Sequence, residues 1–266
     1  MLSVKYVAPE VGEKCDEAVR LEPFLLSLVA GSATGFGGLT VLALKRVSDR
    51  VVGFSMGFAS GVMLLVSFNS LFLEAANHLP HFQLISMFSL GALVIIGLDL
   101  ILPHIELTTK RVEGENQRLF RTGLLIAIGI ALHNLPEGLA VAAGYAHMPR
   151  LGLIIAIAIA LHNIPEGIAT AVPLAVAGIR RTHIAIVTFL SGLVEPVAAL
   201  LGSAVFSIVA TESAIGASLA FAAGVMTYIT ADELIPVAHE YGHKHTVSVG
   251  LLLGIIFALP IDVILS

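Results

Sequence analysis

The sequence predicts an all-α membrane protein with eight transmembrane helices. Three observations carry this. Of 266 residues, 57% are apolar and only 12% charged, and mean hydropathy is +0.95. A soluble domain is nearer half apolar and a quarter charged. The few charges leave eight predominantly apolar stretches of the length that a bilayer core of about 30 Å demands of a helix, roughly 20 residues. No stretch alternates apolar and polar residues with the period of two that marks a membrane barrel. Other classes fall away on the same grounds. A net charge of −5 with no basic block gives nothing to track nucleic-acid phosphates. The single cysteine, Cys15, excludes an internal disulfide and a Cys-cluster zinc site. The absence of Trp leaves little for stacking platforms, and the length suits one bundle.

Residues 1–22 hold Glu10, Glu13, Asp16, Glu17 and Glu22 and lack the apolar run of a signal peptide. They read as an acidic N-terminal tail, and 23–266 as a single eight-helix domain. Pro23 to Leu44 and Val51 to Leu73 contain no charge. Six further spans follow at about 84–103, 122–145, 151–178, 184–209, 214–238 and 246–265. All fourteen Lys and Arg lie outside the spans. Odd-numbered connections carry Lys45, Arg46, Arg50, Lys110, Arg111, Arg118, Arg121, Arg180, Arg181 and Lys244; even-numbered ones carry only Arg150. Cytoplasmic loops are the positive ones. The odd connections, including the polar loop 104–121, are therefore expected in the cytoplasm of a multi-pass inner (plasma) membrane protein. Both termini, and the acidic tail, are then extracytoplasmic. Gly53, Gly57 and Gly61, and Gly31 with Gly35, repeat at the spacing that lets helix backbones approach closely in lipid. Packing within the chain is the expectation, and a homodimer face the alternative.

Residues 127–140 read AIGIALHNLPEGLA and residues 156–169 read AIAIALHNIPEGIA, 11 of 14 positions identical at an offset of 29. The copies fall within the fourth and fifth spans. Neighbouring spans joined by a short link run antiparallel, so two copies of one motif imply a local pseudo-two-fold axis in the membrane plane. Transporters place substrate sites at such an axis. At 100° per residue, His133 and Glu137 lie about 40° apart around the helix, and Asn134 about 60° to the other side of Glu137. His162, Asn163 and Glu166 repeat that fan. The arrangement predicts two adjacent cation positions bridged by the two carboxylates, one with imidazole ligands and one with amide oxygens. Pro136 and Pro165 each free the carbonyl four residues earlier, either to serve an ion or water or simply to kink the helix.

A carboxylate at the bilayer centre costs about 2.5–3.5 kcal/mol on insertion scales, and Glu137 facing Glu166 adds repulsion. No Lys or Arg lies in a span to neutralise them. A proton or a divalent metal ion remains, and the duplicated His-Asn-x-Pro-Glu set favours metal. Glu195, the only acid of the sixth span and followed by proline, reads as a further ligand or as a proton-titrating site.

With HNLPEG, HNIPEG and the sixth-span glutamate in place, the sequence resembles the ZIP (Zrt/Irt-like) family of divalent-metal importers, close to its bacterial ZupT-type branch. The resemblance covers about residues 24–265. It implies that helices 1–3 and 6–8 are inverted repeats around a central helix 4/5 pair. It also implies a binuclear metal site: His133, Glu137, His162 and Glu166 around one ion, and Asn134, Glu137, Asn163, Glu166 and Glu195 around the other. Met63 looks like the family's thioether contact, or else gap-filling core. Many members carry a His-rich loop between helices 3 and 4; here only His104 stands there. His239, Glu240, His243 and His245 occupy the seventh connection instead, as an exit for metal or a solvated turn. Asp99, Asp232 and Glu233 are weaker path candidates.

The expected activity is import of Zn²⁺, with Fe²⁺, Mn²⁺ and Cd²⁺ as further cargo, and no resident cofactor. The expected partners are these ions and the lipid bilayer, with no nucleic acid. The protein is not expected to be an enzyme. The alternative is an intramembrane metal-dependent hydrolase, which would need an open metal position and a general base; the sequence has neither HExxH nor a three-His set. A third reading is a proton-coupled carrier of an organic solute.

Overall fold

The structure, a computed structural model, describes residues 21–43, 48–107, 134–176, 178–209 and 211–265. These form eight helical rods, with no strand among the described residues. They are α1 (Glu22–Ala43), α2 (Asp49–His78), α3 (His81–Leu107), α4 (134–147), α5 (Pro149–Val176), α6 (Arg181–Ile208), α7 (Glu212–Tyr241) and α8 (Lys244–Leu265). Six of them, α1, α2, α3, α5, α6 and α7, are long and apolar enough to cross a membrane. Helix α3 continues to Leu107, past the end expected at 103. The acidic residues of 1–20, residues 108–121 of the third connection and the first half of the fourth span lie outside the described residues.

Local chemistry sets several boundaries. The Ser48 hydroxyl accepts the Val51 N–H at the start of α2, and Thr211 accepts that of Ala214 at the start of α7, each satisfying one of the orphan donors of a first turn. After α5 the chain turns through Gly178 at φ 75°. There Ile179 N–H donates to Leu174 and Gly178 N–H to Ala175, a Schellman ending that needs a residue without a Cβ. Neither the sequence pattern nor propensity announces the π-helical segments within α2 (Val66–Phe72) and α7 (Thr230–Leu234). Both follow a fully buried methionine, Met63 and Met226. Such segments recur at functional sites.

Helix α5 is the centre of the bundle: 72% of its apolar window is buried, against 17% for α3. It packs on α1 and α2, while α2 pairs with α8 and α3 with α7. The outer helices expose Phe82, Ile85 and Leu93 on α3 and Leu252, Ile256 and Phe257 on α8, faces that suit hydrocarbon rather than water.

Close helix contacts are made by glycines. A Cβ on Gly91 would fall on the Phe221 carbonyl and one on Gly254 on the Phe58 carbonyl; one on Gly61 meets that of Leu251 and one on Gly224 that of Phe88. Each contact reappears 163 residues along: 91 and 58 become 254 and 221, 61 and 88 become 224 and 251. The α2–α8 and α7–α3 pairs are thus packed in matching registers. Gly31, Gly35, Gly53, Gly57 and Gly61 all meet atoms of this chain, so intrachain packing accounts for these stripes and they lend no support to a homodimer face. Gly224→Val is expected to destabilise the detergent-solubilised protein by about 2 kcal/mol or more, because the obstructing atoms are backbone. A melting curve superimposable on wild type would contradict that.

Candidate metal centre

Asn134 and Glu137 on α4, His162, Asn163 and Glu166 on α5, and Glu195 on α6 are all buried, none more than 2% exposed. Ligand atoms of Glu137, His162 and Glu166 lie within 4.8 Å of one another, close enough to close onto one ion with bonds of about 2.0–2.2 Å. His162 Nε2 is 2.8 Å from Glu137 Oε1, and His162 Nδ1 is 3.1 Å from the Ala158 carbonyl. A carbonyl can only accept, so Nδ1 carries the hydrogen. Nε2 then presents a lone pair to a carboxylate oxygen. Two acceptors at that distance require a proton between them, on the imidazole or on the carboxyl, or a shared cation.

The amides form a second layer. Asn134 Nδ2 donates to the Ser191 carbonyl of α6, and Asn163 Nδ2 to the Ala30 carbonyl of α1, each at 3.0 Å. Asn163 Nδ2 also donates to Glu195 Oε1. The amide nitrogens thereby fix where the amide oxygens stand. Asn134 Oδ1, Asn163 Oδ1 and Glu195 Oε2 are buried with no hydrogen-bond partner. Each such oxygen costs about 1–3 kcal/mol unless something compensates it. All three only accept, so a cation is the fitting occupant.

Helix α6 is interrupted at Leu193, between Arg181–Gly192 and Val194–Ile208. The interruption puts Glu195 in the first turn of the second segment, where a helix favours negative charge. Pro196 cannot donate to the Gly192 carbonyl, four residues earlier. That carbonyl lies against Gly31 of α1, and the Gly31 carbonyl lies against Gly192. The motif glycines have a role the sequence did not reveal: Gly167 sits on the Thr34 carbonyl and Gly138 on the Glu195 carbonyl. Asn163 and Gly167 thus grip Ala30 and Thr34 of α1 as Asn134 and Gly138 grip Ser191 and Glu195 of α6. The correspondence breaks at one position, where Thr34 stands opposite Glu195. Its hydroxyl is also buried without a partner.

Six of the seven residues singled out as ligands are buried on α4, α5 and α6, with Glu137, His162 and Glu166 in one pocket and Asn163 against Glu195. His133 lies outside the described residues, as does the side chain of Asp99. Met63 is fully buried, with its sulfur 3.7 Å from the Thr230 hydroxyl. Asp232 is exposed and Glu233 partly buried. At the far end of α7, His239, Glu240 and His243 line a cavity of about 700 Å³ with Asp49 and Arg50. A further group of ligating side chains, Glu74, His78 and His147, was not singled out from sequence. Glu74 and His78 are spaced four apart, a readable helix-face pair, but His147 joins them only through the fold.

The family model described as ZIP Zinc transporter matches residues 102–262. Among curated proteins, a Zinc transporter ZupT of Chlorobaculum parvum is 36% identical over 259 residues, covering 91% of this chain and 96% of that protein. A Zinc transporter ZupT of Salmonella heidelberg is 38% identical over 125 residues, covering 45% of this chain and 49% of that protein.

Proposed function

The chain belongs to the ZIP family, and from that premise we propose that it carries divalent transition-metal ions across a membrane into the cytoplasm. The observation that carries the proposal is the buried α4–α5 cluster, where Glu137, His162 and Glu166 share one pocket, with the unpartnered acceptor oxygens of Asn134, Asn163 and Glu195 buried on the same helices and on α6. The two carboxylates on α4 and α5 bridge two ion positions. The imidazole side, to which His133 adds, suits Zn²⁺ and Cd²⁺; the amide and carboxylate side suits the harder Fe²⁺ and Mn²⁺. Three carboxylates bring −3, so one dication leaves −1 and two leave +1. Either balance is far less costly in hydrocarbon than the bare anions.

In this reading the eight rods are eight spans, with α1–α3 and α6–α8 as inverted repeats about α4 and α5. The repeated glycine registers and the twofold Asn–Gly grip support that arrangement. The positive connections face the cytoplasm of the inner membrane, so both termini and the acidic tail are outside and 104–121 is inside. Metal leaves inward past α2 and α7 toward the cavity at His239. The relatives' printed names are those of transporters, which points away from the intramembrane hydrolase.

Proteoliposomes containing the purified protein are expected to take up radioactive zinc saturably, with Cd²⁺, Fe²⁺ and Mn²⁺ competing. Flux no greater than that of protein-free vesicles would overturn the proposal.

A further inference from the structure

Outside the central site, a second group of metal-ligating side chains among the described residues sits where α2 and α4 end and α7 begins. Glu74 and His78 occupy the last turns of α2, His147 is the final residue of α4, and Glu212 opens α7. His147 Nε2 is 2.9 Å from Glu74 Oε1, and His78 Nε2 is 3.1 Å from the same oxygen. Ligand atoms of all three lie within 4.8 Å of one another, and the two imidazoles stand edge to face with centroids 4.5 Å apart. On its other side, His78 Nδ1 is 2.6 Å from Glu212 Oε2. A carboxylate on Nδ1 holds the hydrogen there and turns the Nε2 lone pair inward, as carboxylate partners of zinc-bound histidines do.

We propose that Glu74, His78 and His147 form a separate capture site for a divalent metal ion at this mouth of the bundle, with Glu212 as the residue that positions His78. Two imidazoles and one carboxylate make a three-ligand zinc set, and the fourth position stays open for water. The surroundings fit exchange rather than permanent storage: the Glu74 and His147 side chains are 27% and 25% exposed. Glu74 and Glu212 give the mouth two negative charges. His147 lies ten residues beyond Glu137 on the same helix, about 15 Å along its axis. The mouth site is therefore distinct from the central one and aligned with it. That its ion is transport cargo entering from outside rests on the function proposed above; that it binds metal does not.

Equilibrium dialysis of the purified full-length protein against radioactive zinc separates the two. Wild type is expected to hold one more zinc per chain than His78→Ala/His147→Ala. Glu212→Gln should keep the count while weakening that zinc by about 10-fold or more. In proteoliposomes the double variant should raise KM for zinc about 10-fold and keep the maximal rate within about twofold, since only capture is impaired. Should the double variant lose its wild-type elution profile, His147→Gln, at a helix end, replaces it and must still lower the count. An unchanged zinc count overturns the capture site. Wild-type vesicles without flux, together with the expected loss of one zinc, overturn the transport reading and leave the capture site standing.

Discussion

Glu137→Ala and Glu166→Ala are each expected to cut zinc uptake by about 100-fold or more. A residue that merely orients a metal ligand is worth about 10–100-fold in affinity or activity; in the proposed site these two carboxylates are ligands themselves, and each would touch both ions. His162 stands 2.8 Å from Glu137 and shares a pocket with Glu166, so removing either carboxylate also takes a neighbouring acid from the imidazole. Zinc should raise the melting temperature of wild type, since a ligand at 100 times its Kd stabilises by about 2.7 kcal/mol. In either variant the zinc-dependent shift should shrink while the metal-free protein still folds. Uptake equal to wild type in both variants would remove the carboxylates from the mechanism.

Gly31→Leu or Gly192→Leu is expected to cost several kcal/mol of stability and abolish uptake. A Cβ on either glycine would collide with the carbonyl oxygen of the other, and a backbone atom cannot swing aside. The helices must part. The same separation pulls the Ala30 carbonyl from Asn163 and moves Glu195 relative to Asn163. Losses above about 4–5 kcal/mol are exceptional and come from a short list of causes, overpacking among them. Thermal melting and elution profile check the first part of this; a variant that melts like wild type and still transports would contradict it. Gly31→Ala should be milder than leucine yet clearly destabilising, since even one methyl meets backbone.

Much of this was readable in advance. Charge placement marked out the long apolar helices, six of them long enough to cross a membrane, because a bilayer tolerates so few charged side chains. The duplicated motif pointed to the buried Glu137–His162–Glu166 cluster because helical periodicity fixes which side chains share a face. Long-range register was not readable. Nothing in SGLVEPVAAL says that Gly192 meets Gly31, or that the break at Leu193 opens a new first turn under Glu195. The amide nitrogens of Asn134 and Asn163 turned out to grip Ser191 and Ala30, which explains how the amide oxygens are aimed; a helical wheel shows direction but not the neighbouring helix. The π segments of α2 and α7 carry no sequence mark. The Glu74–His78–His147 group was missed because its members are up to 73 residues apart in the chain.

Anomalous diffraction from crystals grown with zinc addresses the shared pocket most directly. Two peaks between α4 and α5, with Glu137 and Glu166 each reaching both and Asn134, Asn163 and Glu195 around the second, is the expected map. An absence of anomalous density there in zinc-saturated crystals, with the two glutamates turned toward separate surroundings, would contradict it.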